Sequence, residues 1–277
     1  MRLAFTIIYQ GSHLLHFRGF AARMLSMFDH WVVVEGAAKP NGSTAWCKRH
    51  RGPMQSNDGT REELSLLANK FPSKISFIPG SADGWHSKDA MVNAALMALS
   101  PLAADGPHYL WQVDADEHWE EEQLQNSERE LMRGDYCAGE FHCTYFVGDD
   151  LIARGEWGEG KHLPYRRIWL WWGQLFSSHE PPRLQGGDGK VGLLTERFHH
   201  FAYYFEKDVA FKAKYYRYHE RVLDGWRTLQ FEKDRLKFPV EITRLFGPVG
   251  PGRTNTQIWR LDKPVLDFDY SEKESSA

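Results

Sequence analysis

Residues 109–119 read Tyr-Leu-Trp-Gln-Val-Asp-Ala-Asp-Glu-His-Trp, and this stretch constrains the fold more than any other. Tyr109 to Val113 form a short apolar run that stops abruptly at Asp114, Asp116 and Glu117. A short apolar run bounded by polar residues predicts a buried strand. Three carboxylates at its exit concentrate negative charge at one edge of a sheet, the edge where open α/β sheets bind ligands. Like charges this close are costly unless a cation or a hydrogen-bond network compensates them. Hard divalent ions such as magnesium and manganese prefer carboxylate and water oxygens, and a metal held here is placed to grip a diphosphate. The competing reading is a solvated turn or the cap of the next helix.

The rest of the first half alternates strands and helices. Residues 2–9 predict a first strand. Leu14, Phe17, Ala21, Leu25 and Phe28 recur at helical spacing. Trp31 to Glu35 form a β-branched strand, again ending in an acid, followed by a Gly/Pro/Asn/Ser loop from Gly36 to Thr44. A helix is expected over 60–70 and a strand from Ile75 to Pro79. Ser87 is a predicted N-cap for a helix over Lys88–Leu99, on which Val92, Leu96 and Leu99 share a face. Such alternation implies an α/β fold with a mostly parallel, Rossmann-like sheet covered on both faces.

After about residue 120 the pattern changes. A polar, acidic helix is expected over 120–133, β-like pieces over 136–147 and 165–176, and one long helix from about 206 to 226. Pro181-Pro182, Gly186 to Gly189 and Gly247 to Gly252 mark loops. The polar tail over 271–277 is expected to be disordered. No repeat and no interdomain linker is visible, so residues 1–270 read as one domain.

Composition excludes several classes of function. The 277 residues carry 34 basic and 37 acidic side chains, a net charge of −3, which gives no general attraction to nucleic acid or anionic membrane. No apolar run approaches the roughly 20 residues that span a bilayer, and the N-terminus reads as a strand rather than a signal peptide. Cys47, Cys137 and Cys143 are odd in number and match no zinc spacing, which fits a reduced, cytoplasmic setting. Asn41-Gly42-Ser43 matches the glycosylation pattern, read here as chance. Eleven tryptophans are more than an average enzyme needs, and their broad apolar faces stack well on sugar rings and bases.

Five motifs in order resemble a GT-A type glycosyltransferase over roughly residues 3–225. The likeness is to family 2 first and to the bisecting N-acetylglucosaminyltransferase family second. Val-Val-Val-Glu35 resembles the strand whose terminal acid contacts the nucleoside. Ser-Lys88-Asp-Ala-Met-Val-Asn93 resembles the helix before the metal motif, and Val-Asp114-Ala-Asp116-Glu resembles the Asp-x-Asp signature. Arg167-Ile-Trp with Ser-His179-Glu180 resembles a later Arg…His-Glu segment. Phe-His199-His200-Phe-Ala-Tyr-Tyr204, with Lys214 and Arg217 beyond it, resembles the late His-x-x-Tyr segment and its basic helix. Two departures stand out. Lys88 stands where Arg is commoner, replacing a bidentate contact by a point charge, and Glu35 stands where Asp is usual in family 2.

The resemblance implies a metal-dependent, inverting transfer of a sugar from a nucleotide-sugar, UDP favoured and GDP allowed, to a carbohydrate hydroxyl. It implies a nucleotide-sugar half over 1–120 and an acceptor half over 121–245. Asp116 is the first-choice ligand for manganese or magnesium. Asp114 either supports it or binds ribose. His200 adds a nitrogen donor, with His199 as its rival. Glu35, Lys88, Asp114, Lys214 and Arg217 are assigned to the donor. Glu180 is the candidate general base, on a loop stiffened by Pro181 and Pro182, with Asp150 and Asp188 as alternatives. Trp157, Trp169, Trp171 and Trp172 flank the acceptor side as candidates to stack on the acceptor sugar. Two other readings compete. A nucleotidyltransferase needs a Gly-rich basic loop near the first strand, which Gln10-Gly11-Ser12-His13 supplies poorly. An inactive carbohydrate-binding relative would be expected to have lost Asp116 or Glu180, and both are present.

Overall fold

The computed structural model describes residues 1–156, 164–217, 219–247 and 255–264. In chain order the first half comprises β1 (Arg2–Ile8), α1 (Ser12–His16), α2 (Phe20–Met27), β2 (His30–Glu35), α3 (Thr60–Lys70), β3 (Ile75–Ile78), α4 (Lys88–Leu99) and β4 (His108–Gln112). The second half adds β5 (Glu117–His118), α5 (Glu121–Arg133), β6 (Ala138–Val147), β7 (Leu151–Gly155), β8 (Tyr165–Trp171), β9 (Phe176–His179), β10 (Pro182–Leu184) and β11 (Val191–Tyr203). Then follow α6 (Glu206–Tyr215), α7 (Val222–Glu232), β12 (Val240–Glu241), α8 (Thr243–Phe246) and β13 (Thr256–Arg260).

The α/β class expected from the sequence holds. One sheet runs β12-β13-β7-β6-β8-β4-β1-β2-β3, with β11 beside β6 and β5. Its β3-β2-β1-β4 portion is parallel throughout. β8 then joins β4 and β6 in antiparallel fashion, so the later strands continue the same sheet. In β2, Trp31, Val32, Val33 and Val34 are all fully buried. Side chains alternate across a strand. Trp31 and Val33 therefore enter the core with Phe20 and Met24 of α2 and Leu124 of α5, whereas Val32 and Val34 meet Val92, Leu96 and Leu99 of α4. Burying each such side chain contributes about 1.5–3 kcal/mol, and a strand apolar on both sides is stable only between two helical layers.

Two expected helices are broken. The run over 14–28 divides at Arg18 and Gly19, which adopt left-handed φ of 51° and 65°. Glycine makes that turn inexpensive, and it swings Phe17 against Phe201, Tyr204 and Phe205. The run over 206–226 is two helices, α6 and α7. The Tyr215 carbonyl, which would continue the helix, instead accepts the Lys48 backbone N–H at 2.8 Å. The stretches around β7, β11 and β13 carried no strand expectation. The 13-residue β11 has two register shifts against β6, and such irregularity blurs a strict period-two pattern. Residues 271–277 and Trp157 lie outside the described residues.

In the order 3-2-1-4 the direction of succession reverses between β1 and β4. Ligands of open α/β sheets bind beyond the carboxyl ends of strands at such a reversal. Asp114 leaves β4 at that point.

Candidate active site

The acidic turn is fixed from several sides. The Val113 N–H donates to the Phe5 carbonyl at 3.1 Å, and the Thr6 hydroxyl donates to the Val113 carbonyl at 2.7 Å. The Glu117 N–H closes onto the Asp114 carbonyl at 2.9 Å. β5 then pairs antiparallel with β11, setting His200 opposite Glu117 and His199 opposite His118. The Phe201 N–H donates to the Asp116 carbonyl at 2.7 Å. A segment far downstream is thereby stitched to the turn, a juxtaposition that local patterning cannot reveal.

Two basic side chains balance the acids. Arg167 of β8 is buried and donates from Nε to Glu117 at 2.8 Å, and from Nη2 to Glu117 at 2.6 Å and to Asp114 at 2.9 Å. Burial pushes the Glu117 carboxyl up to about 7 while Arg167 pulls it down. Lys212 of α6 approaches Asp116 Oδ2 at 3.4 Å, and His200 Nε2 lies 3.6 Å from Asp116 Oδ1. Burial alone would raise the Asp116 carboxyl, but Lys212 and then His200 outweigh it and hold it far below the usual range. Among the described residues, no three His, Cys, Asp or Glu side chains converge as a metal cage.

Arg167 has a measurable structural consequence. Arg167→Ala leaves the fully buried Glu117 carboxylate without its cation, and breaking a buried pair costs about 3–5 kcal/mol. Denaturant midpoints are expected to fall accordingly, and a stability within about 1 kcal/mol of the parent would show that Glu117 is satisfied without it.

The β9–β10 hairpin brings His179 and Glu180 within the electrostatic reach of Asp114. The Asp89 carboxylate near the start of α4 accepts the Ser43 N–H at 2.8 Å, the Ser43 hydroxyl and the His179 N–H at 2.7 Å. The Ser43 oxygen in turn accepts the Glu180 N–H at 3.1 Å. These contacts hold the Glu180 backbone while its side chain remains exposed. Partial desolvation raises the Glu180 carboxyl, Lys88 pulls it down and Asp114 pushes it up; the balance is a raised value. Lys88 caps the cluster from the first position of α4, where the Ser87 hydroxyl accepts the Ala90 N–H as predicted. Its ammonium lies 5.5 and 5.7 Å from the ring centres of Tyr215 and Tyr216. Burial favours its neutral form, but Tyr216, Tyr215 and Glu180 outweigh it and keep it charged. Burial and then Lys88 bring His179 down to about 4, so it is neutral at physiological pH.

The structure thus brings Lys88, Asp114, Asp116, Glu180 and His200 to one end of the sheet. Other candidates lie elsewhere or are engaged. Glu35 ends β2 as expected, but it is fully buried and its carboxylate accepts the Ser56 N–H at 2.5 Å and the Gly80 N–H at 3.3 Å. Lys214 and Arg217 are exposed, and the basic residue that reaches the acids from α6 is Lys212, which sequence spacing did not single out. His199 faces the other side of β11, stacked on His118 at 6.1 Å. Asp150 is paired with Lys233 and Arg260. Asp188 accepts from Arg166, Trp169 and the Leu184 N–H. Trp169 and Trp171 are fully buried, and neither presents a face to a sugar; Trp172 is exposed. Helical spacing alone, three or four residues apart, would have grouped Lys212 with Asp208 and Tyr216, and only the turn of α6 against β11 shows which cation faces inward.

Fold and site together describe an α/β protein with a cluster of charged side chains at the switch point of a Rossmann-like sheet. No protein-family description and no curated protein matches the chain. Among solved structures, S. aureus TarS 1-349 in complex with UDP-GlcNAc aligns at 16% identity and a TM-score of 0.32, over 56% of this chain and 36% of that one. S. aureus TarS 1-349 aligns at 16% identity and a TM-score of 0.35, over 56% and 37%. A 4-diphosphocytidyl-2C-methyl-D-erythritol synthase aligns at 14% identity and a TM-score of 0.34, over 61% and 74%. The chain spans little more than a third of the TarS 1-349 length. Likenesses this remote say nothing about activity, and the chain's own residues have to carry the functional reading. No helix among the described residues is long and apolar enough to cross a membrane.

Proposed function

We propose that the protein is a glycosyltransferase that moves a sugar from a nucleotide-sugar, a UDP-sugar favoured, to a carbohydrate hydroxyl with inversion. The observation that carries this reading is the presence of two neighbouring charge systems at the switch point. In one, Asp114 and Asp116 stand with Arg167 and Lys212; in the other, Glu180 stands with Lys88. The first suits a diphosphate and the second an acceptor hydroxyl.

Asp116 and His200 are the pair that fits a divalent cation, manganese or magnesium. Their donor atoms are 3.6 Å apart, one oxygen and one nitrogen, a combination suited to manganese. Asp114 turns Oδ2 to Arg167 and leaves Oδ1 to a long 3.4 Å contact with Gln112, so it has an oxygen to offer a cation or a ribose. A cation bound there supplies positive charge to the departing diphosphate. Lys212 adds its own ammonium charge beside Asp116. Glu180 takes the proton of the acceptor hydroxyl as the sugar carbon is attacked. Attack from the face opposite the diphosphate inverts the anomeric centre, through an oxocarbenium-like transition state. In this scheme Glu35 acts only by shaping the loop around Ser56 beside the nucleoside.

A thermal-shift series tests the proposal. A ligand at a hundred times its Kd stabilises the folded state by about 2.7 kcal/mol, and a UDP-sugar with manganese is expected to raise Tm by several degrees. His200→Ala is expected to weaken manganese affinity by calorimetry, about tenfold or more for loss of a donor. If no nucleotide-sugar raises Tm with or without the metal, the transferase reading fails; if His200→Ala binds manganese as the parent does, the ligand is another residue.

A further inference from the structure

We propose that Trp46, seated on Tyr216 beside Glu180, is the surface on which the acceptor's sugar ring stacks. Resting on the transferase reading, the acceptor must present a hydroxyl to Glu180 while something holds its ring. The tryptophans of β8 cannot, since Trp169 and Trp171 are fully buried. Trp46 is only half-buried. Its ring lies against Tyr216 at 5.3 Å and 28°, a stacked arrangement that fixes the indole.

The loop carrying Trp46 is anchored at both ends. At one end Ser43 accepts the Glu180 N–H at 3.1 Å. At the other, the Lys48 N–H donates to the Tyr215 carbonyl at 2.8 Å. Ser43 and Trp46 are three residues apart, a span of at most ~10 Å even when extended, and residues 42–44 are wound into a tighter 3-10 turn. Trp46 therefore stands within about one or two sugar rings of the proposed base. The ammonium of Lys88 lies 5.7 Å from the ring centre of Tyr216, the ring on which Trp46 rests, and Cys47 next door feels the charges of both Lys88 and Glu180. An apolar face bordered by a carboxylate and an ammonium suits a sugar, whose C–H face packs on an aromatic ring while its hydroxyls reach polar groups.

Saturation-transfer NMR with a panel of methyl hexosides at millimolar concentration reads this directly. At least one hexoside is expected to bind the parent protein. Trp46→Ala is expected to weaken it about tenfold, Trp46→Tyr to restore most of that loss, and Trp259→Ala, at an exposed ring on β13, to change nothing. UDP affinity and Tm of each variant are measured alongside. Equal hexoside binding by Trp46→Ala, or none by the parent, overturns the proposal. So does a Trp46→Ala variant that loses UDP and keeps the hexoside, because the ring then serves a nucleobase. Trp46-dependent hexoside binding in a protein that binds no nucleotide-sugar keeps the platform and removes the transferase reading.

Discussion

Asp116→Asn is expected to reduce nucleotide-sugar turnover on the order of a thousandfold, the scale of losing one preorganised electrostatic contact to the developing charge. The substitution is nearly isosteric and keeps the backbone carbonyl that accepts the Phe201 N–H. What it removes is a carboxylate that Lys212 and His200 hold ionised against the cost of burial. Lys212 is then left beside a neutral amide, and any cation shared with His200 loses its anionic donor. Released nucleoside diphosphate, measured with and without manganese, checks the result. Turnover equal to the parent's would remove Asp116 from the site. A denaturant curve on the same sample separates a lost reaction from a lost fold, because the cost of stranding Lys212 appears there and not in the metal dependence.

Glu180→Gln is expected to bind the donor as the parent does and to lose transfer by roughly 10²–10⁴-fold, the usual contribution of a positioned general base. Its backbone anchor to Ser43 does not involve the side chain, so the hairpin is expected to stay in place. The parent's pH profile carries a second signature. A base must be ionised to act, and the Glu180 carboxyl is raised above the ordinary glutamate value by desolvation and by Asp114, against the pull of Lys88. Transfer is therefore expected to rise with pH through that raised value and to level off above it. Lys88→Met removes the opposing pull and is expected to move the acid limb to higher pH. A limb at the ordinary glutamate value, unmoved by Lys88→Met, would assign the proton to another group.

Much of the first half of the chain was legible in the sequence for a local reason. The helix over Lys88–Leu99 starts at a serine cap whose hydroxyl accepts the Ala90 N–H, and it buries Val92, Leu96 and Leu99. β2 announces itself as four consecutive apolar residues, because both of its faces are covered. The acidic turn after β4 was equally plain. Its compensation was not. Concentrated carboxylates require a counter-charge, and the sequence could not say whether a metal or a side chain supplies it. The structure places Arg167 and Lys212 on them from β8 and α6.

Local chemistry written in neighbouring residues, such as a cap, a period or an acid cluster at a strand's end, was readable from the chain alone. It placed Asp114 and Asp116 at one edge of an α/β sheet and Lys88 at the start of a helix. Which face of α6 turns inward and which histidine of the pair looks at Asp116 depended on the pairing of β11 with β5 and on the break after Tyr215. Those are contacts between segments far apart in sequence, selected by burial and by hydrogen bonds that no short window contains.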